Sequence, residues 1–294
     1  MKFWQKSLVS LALAASFSPM VMAKTVETVA SFSVLGDIVK QVGGEHVNVN
    51  TLVGPDGDPH TFEPAPKDSV AIKKADVVFV SGLGLEGWMD RLVKASGYQG
   101  DIVTASTGVS TRKMEEDGEV ITDPHAWNSA QNGEIYARNV MEALIKADPE
   151  DADYFKHNGE AYIQQLKKLN EWAKAEFAKV PVEKRKVLTS HDAFGYFGQE
   201  YGVKFLAPVG FSTESEASAS DVGALIQQLK DEKIAAYFIE NQTDPRLVEQ
   251  IAMASGAKNG GELYPEALTA KGGEADTYAA AFKHNVETML SSMK

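Results

Sequence analysis

Hydrophobic positions between residues 150 and 180 recur at Phe155, Tyr162, Leu166, Leu169, Ala173, Phe177 and Val180. These steps of seven, four and three are the repeat of one buried helical face. Pro149 suits the first turn of such a helix, Glu150 and Asp151 complement its positive N-terminal dipole, and Pro181 marks its stop. Gly159 is the one weak position, costing about 1 kcal/mol against Ala. At 1.5 Å per residue the helix could run about 45 Å, longer than one small domain needs. It therefore reads as a rigid strut between two halves.

On either side of the strut, short β-rich runs alternate with helical patterns, the order of parallel sheets with crossover helices. In the first half, strands are expected at 27–31, 47–53, 77–81 and 102–105, and helices at 33–42, 67–74, 85–95 and 131–146. Beyond the strut, strands are expected at 186–189, 204–208, 235–240 and 261–263, and helices at 194–201, 219–232, 245–254 and 275–291. The fold class is α/β, with two similar lobes, each a mostly parallel sheet with flanking helices, joined by one long helix. The expected division is 24–148 for the first lobe, 149–181 for the linking helix and 182–294 for the second lobe.

The start of the chain departs from this pattern. Lys2 and Lys6 precede an apolar run from Leu8 to Phe17, and Val21-Met22-Ala23 offers a cleavage site, so residues 1–23 read as a secretory signal peptide. The apolar run is too short for a membrane anchor. The chain has no cysteine, which excludes disulfides, thiolate chemistry and a lipid attached to a new N-terminus, and the expectation is a free periplasmic protein without a lipid anchor. Removing the signal takes away two lysines and no acid, and the formal charge goes from −12 to −14. That balance disfavours nucleic acid and anionic lipid as partners and suits the attraction of cations.

Three histidines stand where strands end or loops enter the expected cleft, the usual ligand position of open α/β sheets. His60 closes Gly54-Pro55-Asp56-Gly57-Asp58-Pro59-His60, His125 lies in Asp123-Pro124-His125-Ala126-Trp127, and His191 follows the strand Val187-Leu188-Thr189. A single loop histidine is most simply a hydrogen-bonding residue. Three at equivalent positions in both halves read as metal ligands, since neutral imidazole suits zinc and related ions. His46, His157 and His284 read as solvated surface residues.

Asp58-Pro59-His60-Thr61-Phe62-Glu63-Pro64, Gly82-Leu83-Gly84-Leu85-Glu86-Gly87-Trp88, Asp123-Pro124-His125-Ala126-Trp127, Ser190-His191-Asp192-Ala193-Phe194-Gly195-Tyr196-Phe197 and Phe238-Ile239-Glu240 stand out as specific stretches. Together they resemble the periplasmic zinc- and manganese-binding proteins of metal-specific ABC importers. The resemblance spans the mature chain and implies a non-enzymatic carrier that delivers a divalent ion to a membrane permease driven by a cytoplasmic ATPase. It implies His60, His125 and His191 as ligands. Manganese and iron members commonly have glutamate at the third position, so histidine there points to zinc, with a manganese- or iron-binding component as the alternative. The family's fourth ligand, an aspartate, corresponds to Glu266 in Leu263-Tyr264-Pro265-Glu266-Ala267-Leu268. Asp276 competes for that role but has a bland duty as the cap of the last helix, and Glu240 is expected to orient an imidazole. The histidine-rich loop of many zinc members is missing; residues 113–119 are acidic and read as a solvated loop. The protein is expected to act as a monomer.

Two other chemistries compete. Gly82-Leu83-Gly84-Leu85-Glu86-Gly87 fits the spacing of a dinucleotide loop, but no acidic residue follows at the right distance, and a tight turn explains the glycines. A secreted zinc hydrolase would use the same ligand types but keeps a position open for water, which three histidines and a carboxylate would close.

Overall fold

The structure is a computed structural model that describes residues 25–116, 118–210, 213 and 217–293. The expected signal peptide lies outside the described residues. Among these residues, no helix is long and apolar enough to cross a membrane.

Two four-stranded sheets, parallel throughout, form the two lobes. The first comprises β1 (Val26–Phe32), β2 (Val47–Val53), β3 (Val77–Val80) and β4 (Asp101–Thr104) in the order β2-β1-β3-β4. Helices α1 (Ser33–Gly43), α2 (Pro66–Lys74) and α3 (Met89–Ser96) connect its strands. An antiparallel hairpin, β5 (Lys113–Glu116) and β6 (Glu119–Thr122), follows. It replaces the solvated loop expected over 113–119. Met114 explains the difference, because its side chain is buried while its neighbours face outward, the alternation of a strand. Helix α4 (Ala130–Ala147) completes the lobe, capped by the Ser129 hydroxyl, which accepts the Asn132 N–H.

Helix α5 (Ala152–Ala178) is continuous through its 27 residues, about 40 Å long. Its buried face includes Phe155, Gly159, Tyr162, Ile163, Leu166, Asn170, Ala173 and Phe177. Phe155, Tyr162, Ile163 and Leu166 belong to the core of the first sheet, Ala173 and Phe177 belong to a second core, and Leu169 packs against both. Gly159 is not a weakness. A Cβ there would meet Met141 of α4 at 2.6–2.9 Å, so the absence of a side chain lets the two helices approach.

The second sheet contains β7 (Lys186–Leu188), β8 (Lys204–Leu206), β9 (Ala236–Glu240) and β10 (Lys258–Leu263) in the order β10-β9-β7-β8. Around it lie α6 (Gly195–Tyr201), α7 (Ala219–Asp231), α8 (Arg246–Ser255) and α9 (Tyr278–Ser292).

Two helices start later than their apolar patterns suggest. Before α3, the backbone turns through positive φ at Gly82, Leu83 and Gly84, and the Glu86 carboxylate accepts the Ser81 and Gly82 N–H groups at 2.6 and 3.0 Å. Those are donors that a dinucleotide phosphate would need, so the glycines serve this turn. Before α9, Thr277 rather than Asp276 caps the helix by accepting the Ala280 N–H, while Asp276 accepts the Gly272 N–H in the preceding loop. That loop crosses to the other lobe: Tyr264, Leu268, Ala275 and Tyr278 all join the core of the first sheet.

Of the three histidines expected to be solvated, His157 is exposed. His46 instead stacks on Tyr154 at 3.8 Å and lies 2.5 Å from Asp151, tying the start of β2 to the strut. His284 lies 3.0 Å from the Glu262 carbonyl and is half-buried.

Candidate metal centre

His60, His125, His191 and Glu266 come together, each offering a donor atom within 4.8 Å of every other. They arrive from the carboxyl-end side of both sheets. His60 sits in the loop after β2, His191 three residues after β7 and Glu266 three residues after β10; His125 follows β6 and precedes α4. The repeated Asp-Pro-His tripeptide has a local reason. Asp58 accepts the His60 N–H at 2.8 Å and Asp123 accepts the His125 N–H at 3.0 Å, so each aspartate closes a turn that presents the imidazole.

The side chains of these four residues are at most 2% exposed. His60 Nε2 lies 2.9 Å from Glu266 Oε2 and 3.3 Å from His125 Nε2. Glu266 Oε2 is 3.7 Å from His125 Nε2, and its Oε1 is 3.6 Å from His191 Nε2. His191 Nε2 is buried without a hydrogen-bond partner. The Nε2 atoms thus converge on one carboxylate.

The opposite ring nitrogens are held by acids. His125 Nδ1 meets Asp123 at 2.9 Å, and His191 Nδ1 meets Glu240 at 2.5 Å. Glu240 also accepts the Ser190 and His191 backbone N–H groups. An Nδ1–H donated to a carboxylate fixes the tautomer that leaves Nε2 free to bind an ion. Asp123 is steadied further by Arg112, and Tyr196 donates to its backbone carbonyl. Two tryptophans hold the backbone just before ligand positions: Trp88 donates to the Pro59 carbonyl at 2.9 Å, and Trp127 to that of Pro265 at 2.7 Å.

Charge is balanced inside the cluster. Burial pulls the His191 pKa down, but Glu240 and Glu266 outweigh it and raise it well above 6.5. Burial pushes Glu266 up, yet His60 and His191 outweigh that and hold it well below 4.5. Burial likewise pushes Asp123 up, and His125 with Arg112 brings it below its ordinary value. In the metal-free chain Glu266 and His191 thus each favour the charged form of the other.

Asp276 lies outside the group, as does Asp192. Arg112, Trp88, Trp127, Tyr196 and Gln242, which donates to Glu266 Oε1 at 2.9 Å, were not singled out by the sequence for these roles. For Trp88 and Trp127 the available signal was their presence within the motif segments.

The model of the family "Zinc-uptake complex component A periplasmic" matches residues 28–292. The chain belongs to this family. Among curated relatives, the manganese-binding lipoprotein MntA of Bacillus subtilis is 36% identical over 277 residues, covering 91% of this chain and 90% of the relative. The metal ABC transporter substrate-binding lipoprotein SloC of Streptococcus mutans is 31% identical over 292 residues, covering 96% and 95%. Among solved structures, the periplasmic zinc binding protein TroA of Treponema pallidum aligns with a TM-score of 0.85 at 30% identity, covering 92% of this chain and 99% of that one. Family membership makes the protein a divalent-metal-binding component of an ABC importer, working with a permease and an ATPase, and not an enzyme.

One expectation is corrected. MntA and SloC are lipoproteins, which overturns the inference that a protein of this kind diffuses free of a lipid anchor. The inference rested on the missing cysteine, which bears on one chemical mode of attachment and not on whether the protein is held at the membrane.

Proposed function

We propose that His60, His125, His191 and Glu266 hold one divalent transition-metal ion as cargo. The site is complete within one chain, consistent with a monomeric carrier. The observation that carries this reading is the convergence of four buried donors, three of them Nε2 atoms, within 4.8 Å of one another. We further propose that the lobes divide at 149–181, in keeping with the two halves of α5 lying in different cores.

Manganese and zinc are both cargo in this reading. The name of MntA supports manganese, and that of TroA supports zinc. For one nitrogen-rich site the divalent series places zinc above manganese in affinity, so supply and permease selection would decide which ion is carried. Three imidazoles favour zinc thermodynamically even where manganese is the ion available.

Competitive calorimetry on the metal-free full chain tests this. One ion of either metal should bind per chain, and zinc should displace manganese one for one. Manganese that resists displacement by equimolar zinc would overturn the affinity order. Unchanged binding after His125→Ala or His191→Ala would overturn the ligand set.

A further inference from the structure

We propose that Gln242 is a positioning residue that sets the coordination number of the cargo ion and so biases the site toward zinc. The proposal rests on the reading of the four-residue site above, and the observation behind it is the unequal surroundings of the two Glu266 oxygens. Oε2 lies 2.9 Å from His60 Nε2 and 3.7 Å from His125 Nε2, whereas Oε1 has His191 Nε2 at 3.6 Å. Oε1 accepts the Gln242 Nε2–H at 2.9 Å. The amide can present only its N–H there, because its carbonyl would set two acceptors face to face.

The donor is firmly placed. Gln242 occupies a tight turn at the end of β9, closed by the Thr243 N–H on the Glu240 carbonyl at 3.2 Å. Glu240 is fixed in turn by the Ser190 and His191 N–H groups, and Asn241 donates to the Ala267 carbonyl one residue beyond Glu266. The other end of the amide does not account for its position, since Gln242 Oε1 is buried without a partner. One turn therefore orients His191 through Glu240 and Glu266 through Gln242.

A carboxylate oxygen engaged by an amide N–H has less electron density for a metal. Oε2 then binds alone, giving four donors with the three imidazoles, the number zinc takes in closed tetrahedral sites. Without the amide, both oxygens are free to coordinate. The resulting five donors, with room for water, suit manganese better, because it prefers oxygen and higher coordination.

The test uses the metal-free full chain as wild type and as Gln242→Met, which keeps the length of the side chain but lacks the N–H. Zinc and manganese affinities are measured in competition, and the visible spectrum of the cobalt(II)-loaded protein reports coordination number. The zinc-over-manganese preference should fall about tenfold, the lower end for removal of an outer partner. The intense tetrahedral cobalt bands should weaken as a fifth donor joins. Gln242→Asn, one methylene short of Glu266, should move both readouts the same way and serves where Gln242→Met folds poorly. An unchanged ratio and spectrum would overturn the proposal, as would equal loss of both metals with the tetrahedral bands intact. A wild-type chain that binds neither metal would instead overturn the site reading on which the proposal stands.

Discussion

Acid should strip the ion from this site beginning above the ordinary imidazole range, and the His191 environment sets where. Its Nδ1 faces Glu240 at 2.5 Å and its Nε2 faces Glu266 at 3.6 Å, which outweigh burial and raise its pKa well above 6.5. The metal-free ring therefore holds its proton to higher pH than an ordinary imidazole, and an ion that binds Nε2 must displace that proton. Each pH unit below the His191 pKa then costs about tenfold in affinity, or about 1.36 kcal/mol, for this one proton. Lowering the pH from 7 to 6 should weaken binding, by up to about tenfold for this proton alone. Calorimetry in buffers of different ionisation heat would count the protons released, with about one or more expected per ion at pH 7. The stability of the metal-free chain has the opposite sign. A raised His191 pKa stabilises fully below 6.5 and loses that contribution as pH rises through the folded value; a lowered Glu266 pKa stabilises fully above 4.5 and loses it as pH falls through the folded value. Both contributions are present between 4.5 and 6.5, so thermal stability without metal should be greatest there as far as these groups decide it. The thermal shift produced by metal should instead grow above that interval. Proton-free binding at pH 7, with equal affinity at pH 6, would refute the argument.

Glu266→Ala should weaken binding of zinc or manganese by tenfold or more, at least about 1.4 kcal/mol by calorimetry; a silent substitution would remove Glu266 from the ligand set. Asp276→Ala should leave affinity unchanged, whereas Thr277→Ala should lower stability to urea by about 0.5–2 kcal/mol through loss of the α9 cap. X-ray scattering of metal-free and loaded protein should give nearly superimposable curves, and a change of several ångströms in radius of gyration would contradict a continuous strut.

The strut and both βα series were legible because each buried face repeats locally, as from Phe155 to Phe177. The three histidines were legible because turn-forming residues or a strand end flank them. Glu266 entered through the resemblance and was preferred for its place after Pro265 in a strand-end loop, with Asp276 set aside as a helix cap, a duty that Thr277 carries instead. What stayed hidden depends on partners distant in sequence. Trp88 holds a carbonyl 29 residues away, Trp127 one 138 residues away, and Asp37 accepts the N–H of Tyr278 across 241 residues. Helix starts were misplaced at residues 85 and 275 for the same reason: apolar side chains there serve the tertiary core while the backbone is still turning. Leu85 and Ala275 are both buried, yet neither lies in a helix.

These long-range ties also limit how the lobes move. A rigid-body opening would draw the 264–278 segment out of the first core, exposing Tyr264, Leu268, Ala275 and Tyr278. It would break the bonds from Leu268 N–H to Ser33, from Trp127 to Pro265, from Tyr278 N–H to Asp37 and from the Tyr278 hydroxyl to the Trp127 carbonyl. At about 0.5–1.5 kcal/mol net for each, these four bonds alone oppose opening by about 2–6 kcal/mol, before the apolar burial is counted. The loop carrying His60 is tied in as well: the Asp56 N–H donates to the Leu268 carbonyl at 2.9 Å and Trp88 to the Pro59 carbonyl at 2.9 Å, while Asn241 donates to Asp56 at the surface and Thr213 to Asp58. The exposed Asn241–Asp56 contact exchanges readily for water, but the buried bond to Pro59 does not. The 54–60 loop and the Glu266 segment are therefore held to each other as well as to the first core, and a rigid-body opening would break both sets of ties.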